Sequence, residues 1–168
     1  MAATPIPDEL LGGLPPVLPA CTRVLLLGSF PGVASLTQAQ YYAHPRNQFW
    51  RLVGACIAEP LAEMPYAQRL ETIARHNVGL WDMIAQCKRV GSLDTAIQEA
   101  SVNPLADFLK QATPALERVG FNGSLSWKLG QHLADHGYKI FKLPSSSPAA
   151  AMYSFEQKLV SWRQLFEG

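Results

Sequence analysis

The chain has 168 residues, of which 48% are hydrophobic and 16% are charged, and its formal net charge is +1. This is the composition of an ordinary globular domain, and it excludes both a disordered body and a polybasic tail as the main means of binding nucleic acid. The apolar runs are far too short to span a bilayer, and no basic stretch followed by an apolar one opens the chain, so we expect a cytoplasmic protein with no membrane segment.

The three cysteines, Cys21, Cys56 and Cys87, lie at long spacings and form no CxxC pair. An odd count argues against a disulfide framework, and without paired cysteines neither a structural zinc nor an iron–sulfur cluster is expected. We therefore predict reduced thiols packed in the fold, and no metal or cofactor.

The first twenty residues are rich in proline and glycine, which predicts an extended arm over residues 1–20 ahead of one domain over residues 21–168. Residues 23–30, with the sequence RVLLLGSF, form a short apolar run ended by glycine, and this is typical of a buried parallel strand. Three more short strands are predicted at residues 77–83, 117–123 and 138–144.

Helical patterns fill the intervals between these strands. The last one, residues 154–166, opens on Ser154 and has Gln157 three residues later, which is the arrangement of a capping box. Gly137 is a candidate C-cap for the helix before it. The other predicted helices cover residues 47–57, 66–76, 104–111 and 125–136. Strands that alternate with helices predict an α/β fold whose parallel sheet is covered on both faces.

Ligands of such sheets bind beyond the carboxyl ends of the strands. The rule directs attention to the loops that follow the four predicted strands, and the unusual residues of the chain lie in these loops. They are residues 28–47, 82–94, 122–126 and 144–149.

The first of these loops opens with GSFPG at residues 28–32. Its glycines allow a backbone to approach a ligand closely, although a simple tight turn explains them equally well. The segment is neither GxGxxG nor a phosphate-binding loop ending in Gly-Lys-Ser/Thr, so a dinucleotide site is poorly supported.

Residues 41–50, YYAHPRNQFW, are dense in aromatic rings and side-chain donors. The rings can stack on bases, and Arg46 can meet a phosphate. The alternatives are ordinary ones, with Phe49 and Trp50 as core residues at a helix start and Asn47 as its N-cap.

The last loop holds Ser145, Ser146 and Ser147 between two prolines. Small hydroxyl residues in a stiff, narrow loop can hold phosphate oxygens through their N–H and O–H groups. A solvated serine turn is the alternative.

Several motifs follow one another in order between residues 24 and 150: a strand, G-x-x-P-G, H-P-x-N-x-F-W, and a late strand that runs into x-P-S. This order resembles the uracil-DNA glycosylase superfamily, and the blocks GLWD, GSLD, FNG and LPSSSPA are most similar to its hypoxanthine (deoxyinosine) DNA glycosylase branch. The resemblance implies a three-layer α/β/α sandwich around a four-stranded parallel sheet. It also implies a monomeric enzyme, without metal or cofactor, that flips a damaged base out of DNA and hydrolyses its N-glycosidic bond.

Two positions depart from the pattern of many members. Phe30 stands where they carry an Asn or Asp that positions water, and Leu143 stands where they carry a His or Asn that stabilises the base anion. Neither side chain can hydrogen-bond, which favours the hypoxanthine branch because that branch also lacks the usual pair.

The resemblance assigns roles to the matching residues of this chain. Asn47 is predicted to orient water or the scissile nucleotide, and Phe49 to stack on the flipped base. Asp82 is predicted to read the base or to act as a second base for the water. The other candidates are Phe30 and Asn122 at the base, and Ser29, Arg46, Ser145, Ser146 and Ser147 at the DNA backbone.

Some alternatives stay open from the sequence. Asn122 could merely cap its turn, and Lys88 and Arg89 are either extra positive charge at the site or a solvated surface pair. For the whole protein, the first rival is a member that binds damaged DNA without cleaving it, and the second is an α/β enzyme acting on free nucleosides or nucleotides.

Overall fold

A computed structural model describes residues 9–167 of the chain, so residues 1–8 of the predicted arm lie outside the described part. In chain order its strands are β1 (Leu11–Gly12), β2 (Val24–Gly28), β3 (Val78–Asp82), β4 (Ile84–Lys88), β5 (Gln98–Val102), β6 (Arg118–Asn122) and β7 (Lys139–Leu143). The α-helices are α1 (Val33–Gln38), α2 (Phe49–Ile57), α3 (Tyr66–Arg75), α4 (Leu105–Ala112), α5 (Ser124–Gly130) and α6 (Phe155–Phe166).

Four of the strands form a parallel sheet in the order β3-β2-β6-β7. Strands β2 and β3 occupy positions where nearly every side chain is buried, which explains their continuous apolar sequences. The four strands predicted from the sequence are the four strands of this sheet.

Helices cover both faces of the sheet. On one face Leu26 and Leu80 pack with residues of α2, α3 and α6, among them Trp162. On the other face Leu25 and Leu27 pack with residues of α4 and α5. The predicted three-layer α/β/α sandwich is therefore confirmed.

A second, smaller sheet was not predicted. It is antiparallel, in the order β1-β4-β5, and it lies where the sequence indicated only a loop over residues 82–94. Strand β5 is exposed along its whole length and polar, and β4 shows only a short alternation, so neither carries a strong strand pattern.

The helix predicted over residues 125–136 is divided. Its α-helical part ends at Gly130, and residues 131–136 form a 3-10 helix that Gly137 closes with a φ of 91°. A Cβ at position 130 would lie 2.1 Å from the Phe121 ring, so glycine is required there, and glycine also weakens an α-helix.

The capping box of α6 is confirmed. The Ser154 hydroxyl accepts from the Gln157 N–H at 3.2 Å, and the Gln157 side chain accepts from the Ser154 N–H at 2.8 Å. Helix α2 begins at Phe49, two residues later than predicted, because the residues before it form the turn that carries Asn47.

The described part of the predicted arm lies along the sheets. Strand β1 pairs with β4, and Val17 exchanges two backbone hydrogen bonds of 2.8 Å with Leu80 of β3. Between residues 9 and 167 no helix combines the length and the apolar character needed to cross a membrane.

Candidate active site

A cavity of about 520 Å³ opens at the carboxyl ends of the parallel strands. Its walls come from the loops after β2, β3, β6 and β7, as the rule for parallel sheets predicts. The predicted site residues that line it are Ser29, Phe30, Asn47, Asp82, Asn122, Ser145, Ser146 and Ser147.

Asp82, the last residue of β3, is the buried carboxyl of this cavity. Its side chain lies over Gly28, where a Cβ would come 2.5 Å from Oδ1, so the glycine makes room for the carboxyl group. The residue is 5% exposed, and its Oδ2 has no hydrogen-bond partner among the described residues. Burial, reinforced by the charge of Asp94 and opposed by that of Arg89, raises the pKa of Asp82 to about 7. The group can therefore be neutral near physiological pH, when it both donates and accepts a hydrogen bond.

Tyr42 lines the cavity together with Phe30 and Tyr41, and the sequence analysis did not single it out as a site residue. Its ring stacks on Phe49 with centroids 3.8 Å apart and planes at 11°, and its φ of 54° lies in the left-handed region. Such outliers in non-glycine residues cluster at functional sites. Burial, with the charge of Asp82 next in effect, raises the pKa of the Tyr42 hydroxyl, which stays protonated.

Phe49 is not brought to the cavity. It is fully buried, and the ring of Tyr42 covers one face while Trp50 and Trp162 meet it edge-on. Phe49 is therefore a core residue, which is the alternative given for it in the sequence analysis. The ring that stacks on it, Tyr42, is the one that lines the cavity.

Asn47 lines the cavity just before α2. Its Oδ1 accepts from the Phe49 N–H at 2.9 Å, and its own N–H donates to the His44 carbonyl at 3.0 Å. The side chain is thus fixed by the start of the helix while its amide nitrogen keeps donor capacity for a ligand.

Asn122, at the end of β6, is tied to the serine loop. Its Nδ2 donates to the Ser146 hydroxyl, and its Oδ1 accepts from the Ser146 N–H, both at 2.9 Å. The Ser146 carbonyl accepts in turn from the Gln48 N–H at 3.0 Å. The amide of Asn122 therefore shapes the cavity by holding the loop.

The other two serines hold the loop internally. The Ser145 hydroxyl accepts from the Ser147 N–H at 3.1 Å, and the Ser147 hydroxyl accepts from the Ala149 N–H at 3.2 Å. Each hydroxyl still has its own hydrogen to donate to a bound anion.

The segment between β4 and β5 supplies a further wall, and its residues 92–94 belong to the predicted loop over residues 82–94. Ser29 donates to Asp94 of this segment at 2.6 Å, and the Ser92 hydroxyl accepts from the Val33 N–H at 2.9 Å. Phe30 is 6% exposed and lines the cavity beside it. The block GSLD at residues 91–94 was noticed as the end of this loop and as part of a resemblance, but no residue in it was predicted to act at the site.

Three further residues lie away from the cavity lining. Arg46 is exposed, and Leu143 is 2% exposed in the core. Arg89 is 5% exposed, so the interpretation of residues 88 and 89 as a solvated pair is wrong for it: the guanidinium turns inward onto Phe30 and Pro31. Lys88 pairs with Glu99 at 2.9 Å.

A metal centre has no basis in the part of the chain that the structure describes. No group of three or more His, Cys, Asp or Glu side chains comes together there, and Cys21, Cys56 and Cys87 are all free.

Comparison with known proteins gives one consistent family. The model of the "Uracil DNA glycosylase superfamily" matches residues 15–166. A hypoxanthine DNA glycosylase from Methanosarcina barkeri (strain Fusaro) is 39% identical over 92% of this chain and 97% of its own length. Another from Methanosarcina acetivorans is 38% identical over 92% of this chain and 96% of its own. A solution NMR structure of a protein described as a uracil DNA glycosylase, also from Methanosarcina acetivorans, superposes with a TM-score of 0.83 at 36% identity, over 95% of this chain and all of that one.

Proposed function

This chain belongs to the uracil-DNA glycosylase superfamily, and from that premise we propose that it is a monofunctional DNA-repair glycosylase that releases hypoxanthine. The enzyme flips a deaminated base out of DNA and hydrolyses the bond between C1′ and the base, which leaves an abasic site. Uracil and xanthine are further substrates of the same class.

The observation that carries the proposal is the buried carboxyl group of Asp82 at the cavity, whose Oδ2 has no hydrogen-bond partner among the described residues. Hypoxanthine presents a carbonyl oxygen at C6 beside an N–H at N1. A neutral carboxyl group donates to the first and accepts from the second, whereas a carboxylate would face the carbonyl oxygen with like charge. Because the pKa of Asp82 is raised to about 7 by burial, the neutral form is available at physiological pH.

Tyr42 completes the base site as a stacking surface. Its ring lines the cavity while Phe49 supports its other side, so the plane against which a base would lie is fixed in advance. Phe30 forms apolar wall at the same site. Deaminated bases are mispaired and cost least to extrude, so selection begins before the base reaches this pocket.

Asn47 is proposed to orient the attacking water or the scissile nucleotide. The bond between C1′ and the base breaks with its electron pair moving to the base, and positive charge develops on the sugar. A hydrogen bond from neutral Asp82 to the base carbonyl stabilises the departing anion, and a fixed amide at Asn47 holds water against the sugar.

The DNA backbone is proposed to contact the serine loop and the rim residues. Ser145 and Ser147 keep hydroxyl hydrogens to donate to a phosphate, and Ser29 and Arg46 extend this surface. Ser146, predicted to contact the DNA as well, is buried, and its hydrogen bonds with Asn122 support the loop from behind. We propose further that the enzyme acts as a cytoplasmic monomer, without metal or cofactor.

A second candidate is a member of the family that binds damaged DNA without cleaving it. The apolar side chain of Phe30 in the cavity wall, and the burial of Leu143 in the core, favour it because neither position supplies a polar group.

The test is base release from duplexes that carry hypoxanthine, uracil, xanthine or undamaged adenine, read as alkali-labile abasic sites under single-turnover conditions. Wild type should release hypoxanthine, and Asn47→Ala should lower the rate by about 100-fold while DNA affinity stays nearly intact. If the protein binds the damaged duplexes but produces no abasic sites with any of the lesions, it is a damaged-DNA-binding protein instead. Cleavage of free inosine as well as duplex would favour a nucleoside-processing enzyme.

A further inference from the structure

The β4–β5 hairpin, with Met83 just before it, holds the start of the first cavity loop, residues 28–33, in place. The N–H groups of Met83 and Ile84 donate to the carbonyls of Gly28 and Ser29 at 2.8 and 3.0 Å. Further along, the loop is joined to the segment after β4 by the hydrogen bonds of Ser29 with Asp94 and of Val33 with Ser92. The hairpin is thus the support for the wall that contains Phe30.

Arg89 is the charged residue at the centre of this support. Its guanidinium donates to the Pro31 carbonyl and lies 5.2 Å from the centre of the Phe30 ring, which gives a cation–π contact. The residue is 5% exposed, and its Nε and Nη1 have no hydrogen-bond partner among the described residues. Burying a charge with unsatisfied donors is costly, so packing alone gives a poor reason for an arginine at this position.

The charge of Arg89 acts on the cavity from behind Phe30. Asp82 is faced by Arg89 and Asp94 from the hairpin and by Tyr41 and Tyr42 from the first loop. Of these groups Arg89 carries the positive charge. It lowers the pKa of Asp82, whereas burial and the charge of Asp94 raise it.

We propose that Arg89 is a positioning residue for base release, which fixes Phe30 and Pro31 in the cavity wall and carries a positive charge that acts on the carboxyl groups of Asp82 and Asp94. The proposal rests on the proposed function of the cavity. Both effects reach the base through other residues, because Arg89 itself does not line the cavity.

The two effects are separable by substitution. Arg89→Lys keeps the charge but loses the planar group that lies on Phe30 and bonds Pro31. Arg89→Met fills a similar volume with neither charge nor donors. Lys88→Met is the matched control, because Lys88 is the neighbouring residue and pairs with Glu99 at the surface.

The experiment measures single-turnover release of hypoxanthine from duplex DNA between about pH 5 and about pH 9. If neutral Asp82 reads the base, the wild-type rate falls as pH rises through the pKa of Asp82, and Asp82→Asn lacks that fall. Arg89→Met should move the fall to higher pH and lower the maximal rate by about tenfold or more, because the wall is displaced. Arg89→Lys should lower the maximal rate, but the rate should fall at the same pH as in wild type. Lys88→Met should change neither the rate nor the pH at which it falls.

A second measurement does not depend on activity. The carboxyl ¹³C shift of Asp82, followed by NMR in the DNA-free protein, should titrate at higher pH in Arg89→Met than in wild type and at lower pH in Asp94→Asn. If Arg89→Met fails to fold, the opposite shift in Asp94→Asn and the rate of Arg89→Lys still decide the matter. An unchanged titration of Asp82 and an unchanged rate in the Arg89 variants overturn the inference. If the variants shift the titration of Asp82 but wild type releases no base, only the proposed function is overturned.

Discussion

Gly28 has no Cβ, and the space that a Cβ would need is occupied by the side chains of Asp82 and Tyr42. The carboxyl of Asp82 would meet that Cβ at 2.5 Å and the hydroxyl of Tyr42 at 2.9 Å. The glycine turn is therefore needed for the side chains above it, and not for a phosphate, which explains why it lacks the spacing of a nucleotide-binding loop.

Tyr42 and Phe49 form a stacked pair whose members should respond differently to truncation. Tyr42→Ala should weaken binding to a duplex with a non-hydrolysable deoxyinosine by about 1–3 kcal/mol, because the base loses its stacking surface. Tyr42→Phe keeps the ring and should bind almost as wild type. Phe49→Ala should instead lower the free energy of unfolding by about 3–5 kcal/mol, because it opens a cavity in the core.

Equilibrium affinities and urea unfolding of the same three variants separate these effects. Wild-type affinity in a folded Tyr42→Ala protein would remove Tyr42 from the base site.

The sequence predicted which residues gather at the site better than what each one does there. Asp82, Asn47 and Asn122 follow strands or precede a helix, and topology alone brings such positions together. Whether Phe49 or Tyr42 faces the cavity depends on a left-handed φ at residue 42, and local sequence patterns do not reveal this.

Among the elements, the serine loop depends on one side chain of the neighbouring strand. Asn122→Ala removes both hydrogen bonds to Ser146, whose buried N–H is then left without a partner. We expect this variant to lose about 1–3 kcal/mol of unfolding free energy, as measured in urea. Ser145→Ala, which removes only an acceptor within the loop, is the control and should lose less. Equal losses in the two variants would contradict the role given to Asn122.

The hairpin is the element that sequence patterns could not supply. Its strand β5 is polar and exposed, so no burial pattern marks it, and its partner β4 directly follows β3 with only Met83 between them. By contrast, β2 and β3 of the parallel sheet are almost wholly buried, and the four strands of that sheet were predicted in number and direction. The loop that carries Asp94 was therefore predicted as part of the site, but the two strands that hold it were not.

For the whole molecule, a buried carboxyl links stability to pH. The pKa of Asp82 is raised from its ordinary 3.8 to about 7, chiefly by burial, so the folded state binds the proton more tightly than the unfolded chain. Protonation of Asp82 therefore contributes up to about 4 kcal/mol to the free energy of unfolding. This contribution is complete below about pH 4 and is lost as the pH rises to about 7. Asp82→Asn should accordingly melt at a higher temperature than wild type at about pH 8, with a smaller difference at about pH 4.

Thermal unfolding at the two pH values, with the exposed Asp135→Asn as control, measures the effect. A constant difference between Asp82→Asn and wild type at both pH values would show that folding does not raise the pKa of Asp82.

The two backbone bonds between Val17 and Leu80 have a consequence for self-association. They occupy the outer edge of β3, and at the opposite edge of the sheet β7 carries Lys139 and Lys142 in exposed positions. A free, flat edge is a template on which a strand of another molecule can pair, and a covering segment or exposed lysines oppose such pairing. The described part of the proline-rich segment at one edge, and the two lysines at the other, thus oppose pairing of this sheet with a strand of another molecule.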